Sequence, residues 1–185
     1  ARRKSKTIQN NDVTEAFERI AIGPERKNSP MSEEDKENTA YHEGGHALVG
    51  HVLPNSDPIH KITILPRGGT LGVTWSLPIT DKHSMSVKDI KDFLAQAMGG
   101  RVAEEIIYGQ TNVTTGAGND LMKISELARK YVTEYGLSPN LKNLAFREDA
   151  HPLDPNGAMG MGGSVNYSNK TAELIDQEVQ SLVNE

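Results

Sequence analysis

Residues 42–46 read His-Glu-Gly-Gly-His, and one backbone conformation makes sense of that spacing. On an α-helix each residue turns by about 100°, so positions four apart lie roughly 40° from one another, stacked one turn above the other. His42 and His46 then present two imidazoles on one face, close enough to share a metal ion. Glu43 is too far round to join them as a ligand in the same geometry. It comes instead beside the water such an ion would carry, where a carboxylate takes a proton and passes it to a leaving amine. The two glycines each cost about 1 kcal/mol relative to alanine in a helix interior. That cost predicts a compensating close approach here, by another backbone or by a substrate.

None of the 185 residues is cysteine, which excludes disulfides and thiolate metal sites. An ion held by histidine and carboxylate alone suits zinc. Two histidines are too few, because catalytic zinc takes three protein ligands and keeps one position open. A longer form of the motif would place a third histidine at position 52, which is Val52. His51 lies nine residues past His42 and projects about 180° away from it. His60 falls in a predicted strand, His83 in a polar loop and His151 before a proline, and these are weaker candidates. The third ligand is therefore expected to be a carboxylate from another helix: Glu104, Glu105 or Asp120. Asp120 follows a run of small residues, Thr114 to Asn119, and lies in the first turn of its helix, where the dipole favours a carboxylate. Spacing does not decide among the three.

Elsewhere the chain reads as mainly helical with a small sheet. Asp12 with Glu15 predicts a capping box for a first helix, which Gly23-Pro24 stops. Ser32, Ser86 and Ser168 are read as caps of three further helices, and another begins near Asn119 and ends at Gly136. Gly99-Gly100 is expected to loosen the helix that Ser86 opens. Two stretches, Ile59 to Leu65 and Thr70 to Leu77, predict a hairpin about the turn 66–69. Residues 151–164 are rich in Pro, Gly and Met and read as a mobile loop.

Composition excludes two function classes. Net charge is −5 and the one cationic run, Arg2 to Lys6, reads as a solvated tail, so no nucleic-acid footprint exists. No apolar run nears the ~20 residues that span a bilayer, and there is no signal-peptide pattern. The chain opens on Ala1 and closes inside a helical pattern, which reads as a piece of something longer.

The stretches TAYHEGGHALVG (39–50), DPIHKITILPRG (57–68), LGVTWSLP (71–78), GGRVAEEIIYG (99–109), TTGAGNDL (114–121) and VTEYGLS (132–138) resemble, in that order, the FtsH family of membrane-anchored AAA+ zinc proteases. ELIDQEV (173–179) is similar to the family's C-terminal helix. The resemblance implies a helical zinc-peptidase domain over residues 29–185, with a small hairpin or sheet near its active site. Residues 1–28 would be the end of an ATPase module and its linker. It implies His42, His46 and Asp120 as ligands of one Zn2+ and Glu43 as the catalytic carboxylate. Of the adjacent glutamates, Glu105 is expected to support the site in preference to Glu104. The family commonly has alanine at the position of Gly44. The resemblance further implies a homohexamer driven by ATP in the missing module and acting on unfolded polypeptides. Membrane contact would run only through a segment outside this chain, with the protease domain on the cytoplasmic face of a bacterial inner membrane.

Overall fold

The computed structural model describes residues 7–26, 30–146 and 167–185. Among them run helix α1 (Asn10–Ala21), α2 (Glu33–Val52), strands β1 (Ile59–Thr63) and β2 (Val73–Ser76), α3 (Val87–Tyr108), α4 (Gly118–Thr133) and α5 (Asn169–Asn184). The mainly helical reading with one small sheet holds. Ser32, Ser86 and Ser168 are the N-caps of α2, α3 and α5, each accepting from the backbone N–H three residues on. The first helix starts earlier than expected. Its box pairs Gln9 with Asp12, whose carboxylate accepts from the Gln9 N–H at 2.9 Å, in place of Asp12 with Glu15. The loop read into residues 151–164 lies outside the described residues.

The apolar core sits where α3, α4 and α5 meet. Ile90 and Leu94 of α3, Ile124, Tyr131 and Val132 of α4, Leu141 of the following turn and Ile175 of α5 form one buried cluster. At the other face of α3 lies α2, and that contact is made differently. A Cβ built on Gly45 would overlap the Gly99 carbonyl oxygen, and one on Gly99 would stand 2.7 Å from the Gly45 oxygen. The two backbones touch, which accounts for Gly45. Gly44 has nothing within 4 Å of its missing Cβ and no packing reason to be glycine. Nor do Gly99 and Gly100 loosen α3, which runs unbroken through them.

Strands β1 and β2 pair antiparallel, with Lys61 opposite Trp75, Ile62 opposite Thr74 and Thr63 opposite Val73. Both are shorter than predicted, because the segment between them leaves the ladder and closes its own turn through paired Arg67 and Thr70 backbone bonds of 3.1 and 2.9 Å. Helix α1 docks on this hairpin. Phe17 packs on Trp75 with ring centroids 5.3 Å apart, and the buried Glu18 accepts from Lys61 at 2.5 Å and Arg67 at 3.2 Å.

Candidate metal centre

Ser32 starts α2 ten residues before His42, so both histidines fall in well-formed helix, with ring centroids 4.6 Å apart and planes at 86°. Their Nε2 atoms stand 3.0 Å from each other. Across the cleft, a short 3-10 turn (Thr115–Ala117), capped by the Thr114 hydroxyl, delivers the chain into α4. It brings Asp120 Oδ2 to 3.4 Å from each Nε2. Of the three carboxylates left open by spacing, only Asp120 joins the pair. Among the described residues these three make the one cluster of His, Cys, Asp or Glu able to hold a metal.

The donor set fits zinc. A tetrahedral ion with bonds of about 2.0–2.1 Å has ligand atoms roughly 3.3–3.4 Å apart, and the three separations here bracket that value. Three nitrogen and oxygen donors with a fourth direction open to a cleft of about 490 Å³ match a catalytic site better than a closed structural one.

Each imidazole is held from behind. His46 Nδ1 donates to the Gln96 carbonyl of α3 at 2.8 Å, and His42 Nδ1 donates to Glu104 Oε1 at 2.7 Å. Both bonds put the ring proton on Nδ1 and leave the Nε2 lone pairs facing Asp120. Gly100 makes room for this, since a Cβ there would stand 2.6 Å from His42 Cε1 and from His46 Nε2. Glu104 is 1% exposed, and its other oxygen accepts from the Thr114 N–H at 2.7 Å, so it ties the ligand helix to the turn that carries Asp120. The expectation for Glu105 is thus overturned. Glu104 lies four residues past Gly100 and shares its face, whereas Glu105 is turned about 100° away and meets Arg101 at 3.4 Å. Reading Gly100 as a contact point would have selected Glu104 from sequence.

Charge in the site follows from these bonds. Burial pushes the Glu104 carboxyl up, but the Thr114 N–H and His42 outweigh it and hold the acid below its ordinary range. Burial likewise opposes ionisation of Asp120, and the two imidazoles, where protonated in place of a bound cation, pull it well below the usual carboxylate range. For His42 burial works against the charged ring, while Asp120 and Glu104 more than compensate and raise it. A site with this surplus of anionic character attracts a cation.

Glu43 is 7% exposed and lies in the same cleft. The Thr74 hydroxyl of β2 is 2.6 Å from its Oε2, a contact that sequence reasoning missed. His51 and His83 are exposed, and His60 packs edge-on against Trp75 beside Glu18. His151 lies outside the described residues.

The chain matches the family model for peptidase family M41 over residues 29–185. It is 44% identical to an ATP-dependent zinc metalloprotease FtsH of Synechococcus sp. (strain JA-2-3B'a(2-13)), over 100% of this chain and 29% of that protein. It is 45% identical to ATP-dependent zinc metalloprotease FtsH 3 of Symbiobacterium thermophilum, over 99% of this chain and 29% of the relative. An ATP-dependent zinc metalloprotease FtsH of Slackia heliotrinireducens is 46% identical over the whole chain, which covers 23% of it. The chain thus spans less than a third of each of these relatives. Among its described residues no helix is long and apolar enough to cross a membrane.

Proposed function

The chain belongs to peptidase family M41, and from that premise we propose that it is the zinc-dependent endopeptidase part of an ATP-dependent, membrane-anchored protease. The observation that carries this is the convergence of His42, His46 and Asp120 in the cleft that also holds Glu43. His42 and His46 would hold the ion through Nε2 and Asp120 through Oδ2. Zinc, when bound, supplies Lewis-acid activation of the scissile carbonyl and of water. The protein's own contribution is a general base. The Glu43 carboxylate takes the proton from water and returns it to the leaving amine. Glu104 and the Gln96 carbonyl keep both imidazoles in the tautomer that offers Nε2.

Strand β2 lines the cleft at Val73 and Thr74, and among the described residues only β1 pairs with it, along one edge. An extended peptide added there by main-chain pairing would be read by its backbone, which suits unfolded polypeptides of varied sequence, including misfolded membrane proteins and short-lived soluble ones. Residues 1–28 would be the end of an ATPase module and linker, a reading supported by the family match starting at residue 29. ATP would act in that module, outside the peptidase chemistry. The parent would be a homohexamer anchored in a membrane, with this part on the cytoplasmic side.

Metal analysis and peptide cleavage by the full-length protein test the reading together. Wild type should hold about one zinc per chain. Asp120→Ala should lose most of it. Glu43→Gln should keep zinc while cleavage falls on the order of 10²-fold or more, the reach of general-base catalysis. Brisk cleavage by Glu43→Gln, or full zinc in Asp120→Ala, sinks the assignment.

A further inference from the structure

Strand β2 does more than border the cleft, because its side chains alternate between two tasks. Trp75 points away from the metal ligands and is clamped between Phe17 of α1, at 5.3 Å between ring centroids, and His60 of β1, at 5.1 Å. Thr74 points the other way. Its Oγ1 lies 2.6 Å from Glu43 Oε2 and 2.9 Å from the carbonyl oxygen of the same residue. A hydroxyl has one proton to give, and the shorter, charge-assisted bond to the carboxylate takes it.

The other carboxylate oxygen is fixed from a second side. A Cβ built on Gly72 would lie 2.8 Å from Glu43 Oε1, 2.8 Å from Glu43 Cγ and 2.6 Å from Thr39 Cγ2. Any side chain there would push the Glu43 carboxylate out of place. Gly72 and Thr74 therefore act on one group: one leaves space for Oε1, the other grips Oε2. Gly72 carries φ in the range open to any residue, so backbone strain does not explain it; the close approach does.

We propose that Thr74 is the positioning residue of the general base. Its hydroxyl ties Oε2 to the substrate-side strand, and the Gly72 gap leaves Oε1 as the oxygen that exchanges the proton. The strand that would bind peptide thereby sets the orientation of the group that acts on it. This rests on the peptidase reading of Glu43. It predicts a defect in turnover and not in metal or substrate binding, since Thr74 is not among the metal ligands and a peptide pairing with β2 would use main chain only.

The experiment compares Thr74→Val, Thr74→Ser, Gly72→Ala and Glu43→Gln in the full-length, zinc-loaded protein, with kcat and KM on a fluorogenic peptide and zinc content on each. Thr74→Val keeps the shape and removes the donor; kcat should fall on the order of ten- to hundredfold, as loss of a charge-assisted bond at a reacting group implies, with KM and zinc unchanged. Thr74→Ser, which keeps the hydroxyl, should recover most of that loss, and Gly72→Ala should reproduce it. Wild-type kcat in Thr74→Val, beside a dead Glu43→Gln, overturns the positioning role and leaves the peptidase reading intact. Equal losses in Thr74→Val and Thr74→Ser overturn it too, because the hydroxyl is then not the cause. An active Glu43→Gln removes the base itself, and both ideas fall.

Discussion

Helix α3 makes two contacts of opposite kinds, one on each side. Towards α4 and α5 it offers Ile90 and Leu94 to a cluster of large apolar side chains, and the helices stand apart by the thickness of those side chains. Towards α2 it offers Gly99 and Gly100, and the backbones touch at Gly45. The first contact stabilises through apolar burial, which scales with the area removed from water. The second is made by glycines, backbone against backbone, and it sets the positions of His42, His46, Gln96 and Glu104. Stability and geometry are thus divided between two faces of one helix.

The division has a sharp consequence for substitution. Ile124→Ala opens a cavity in the apolar contact and should cost about 2–5 kcal/mol, leaving zinc stoichiometry at one per chain. Gly45→Ala adds a single carbon, yet that carbon overlaps the Gly99 carbonyl, so the helices must separate and the ligand set with them. Zinc binding should be lost outright. The neighbouring Gly44→Ala meets nothing within 4 Å and should stabilise the helix by about 0.5–1 kcal/mol. Thermal melts with metal analysis on the three variants decide the matter. Normal zinc content in Gly45→Ala would show that the crossing does not set the site.

A second, smaller break tests the partner behind the metal ligand. Both oxygens of Glu104 accept from N–H groups, one from His42 Nδ1 and one from Thr114. Glutamine offers one acceptor and one donor, so Glu104→Gln turns one of these bonds into an N–H facing an N–H. Zinc affinity should drop about 10- to 100-fold, the usual cost of disturbing a ligand's outer partner. Glu105→Gln is the control and should bind as wild type does; competition with a chromophoric chelator measures both. An equal loss in the two variants would restore Glu105 as a partner of the site.

What sequence reading reached in these regions follows from the range of each interaction. Helix starts at Ser32, Ser86 and Ser168 were legible because a cap is a bond across three residues. The His42–His46 pair was legible for the same reason, one helical turn. Asp120 was not fixed by spacing, because its approach to His42, 78 residues away, depends on how α3 and α4 pack and on the 3-10 turn between them. The choice between Glu104 and Glu105 failed on a rotation of about 100°, which requires knowing which face of α3 meets α2. Gly99 and Gly100 read locally as weak points in a helix, and the packing makes them its contact points. Thr74 left no local trace at all: a half-buried threonine in a short strand is ordinary until its neighbour is known to be Glu43.

The smallest expected effect lies where α1 meets the hairpin. There the buried Glu18 carboxylate bridges the helix to the hairpin. The bond from Lys61 does most to lower the pKa of Glu18; burial opposes this, and the charges of Lys61, Arg67 and His60 add to the lowering. A carboxylate depressed in the folded state contributes stability that is complete above its unfolded value, about 4.3, and fades as pH falls through the folded value. Docking of α1 should therefore weaken below about pH 4. Trp75 is the chain's one tryptophan and touches Phe17 of α1, so its fluorescence reports this contact locally. In Glu18→Gln the acid-dependent part of the signal should vanish, because no proton is left to take up. The global melt, governed by the α3, α4 and α5 cluster, should move much less than the Trp75 signal. A Trp75 transition at the same acid pH in wild type and Glu18→Gln would assign it to the acidic groups elsewhere, among them Glu178, which Ser138 and Asn140 hold below the ordinary range.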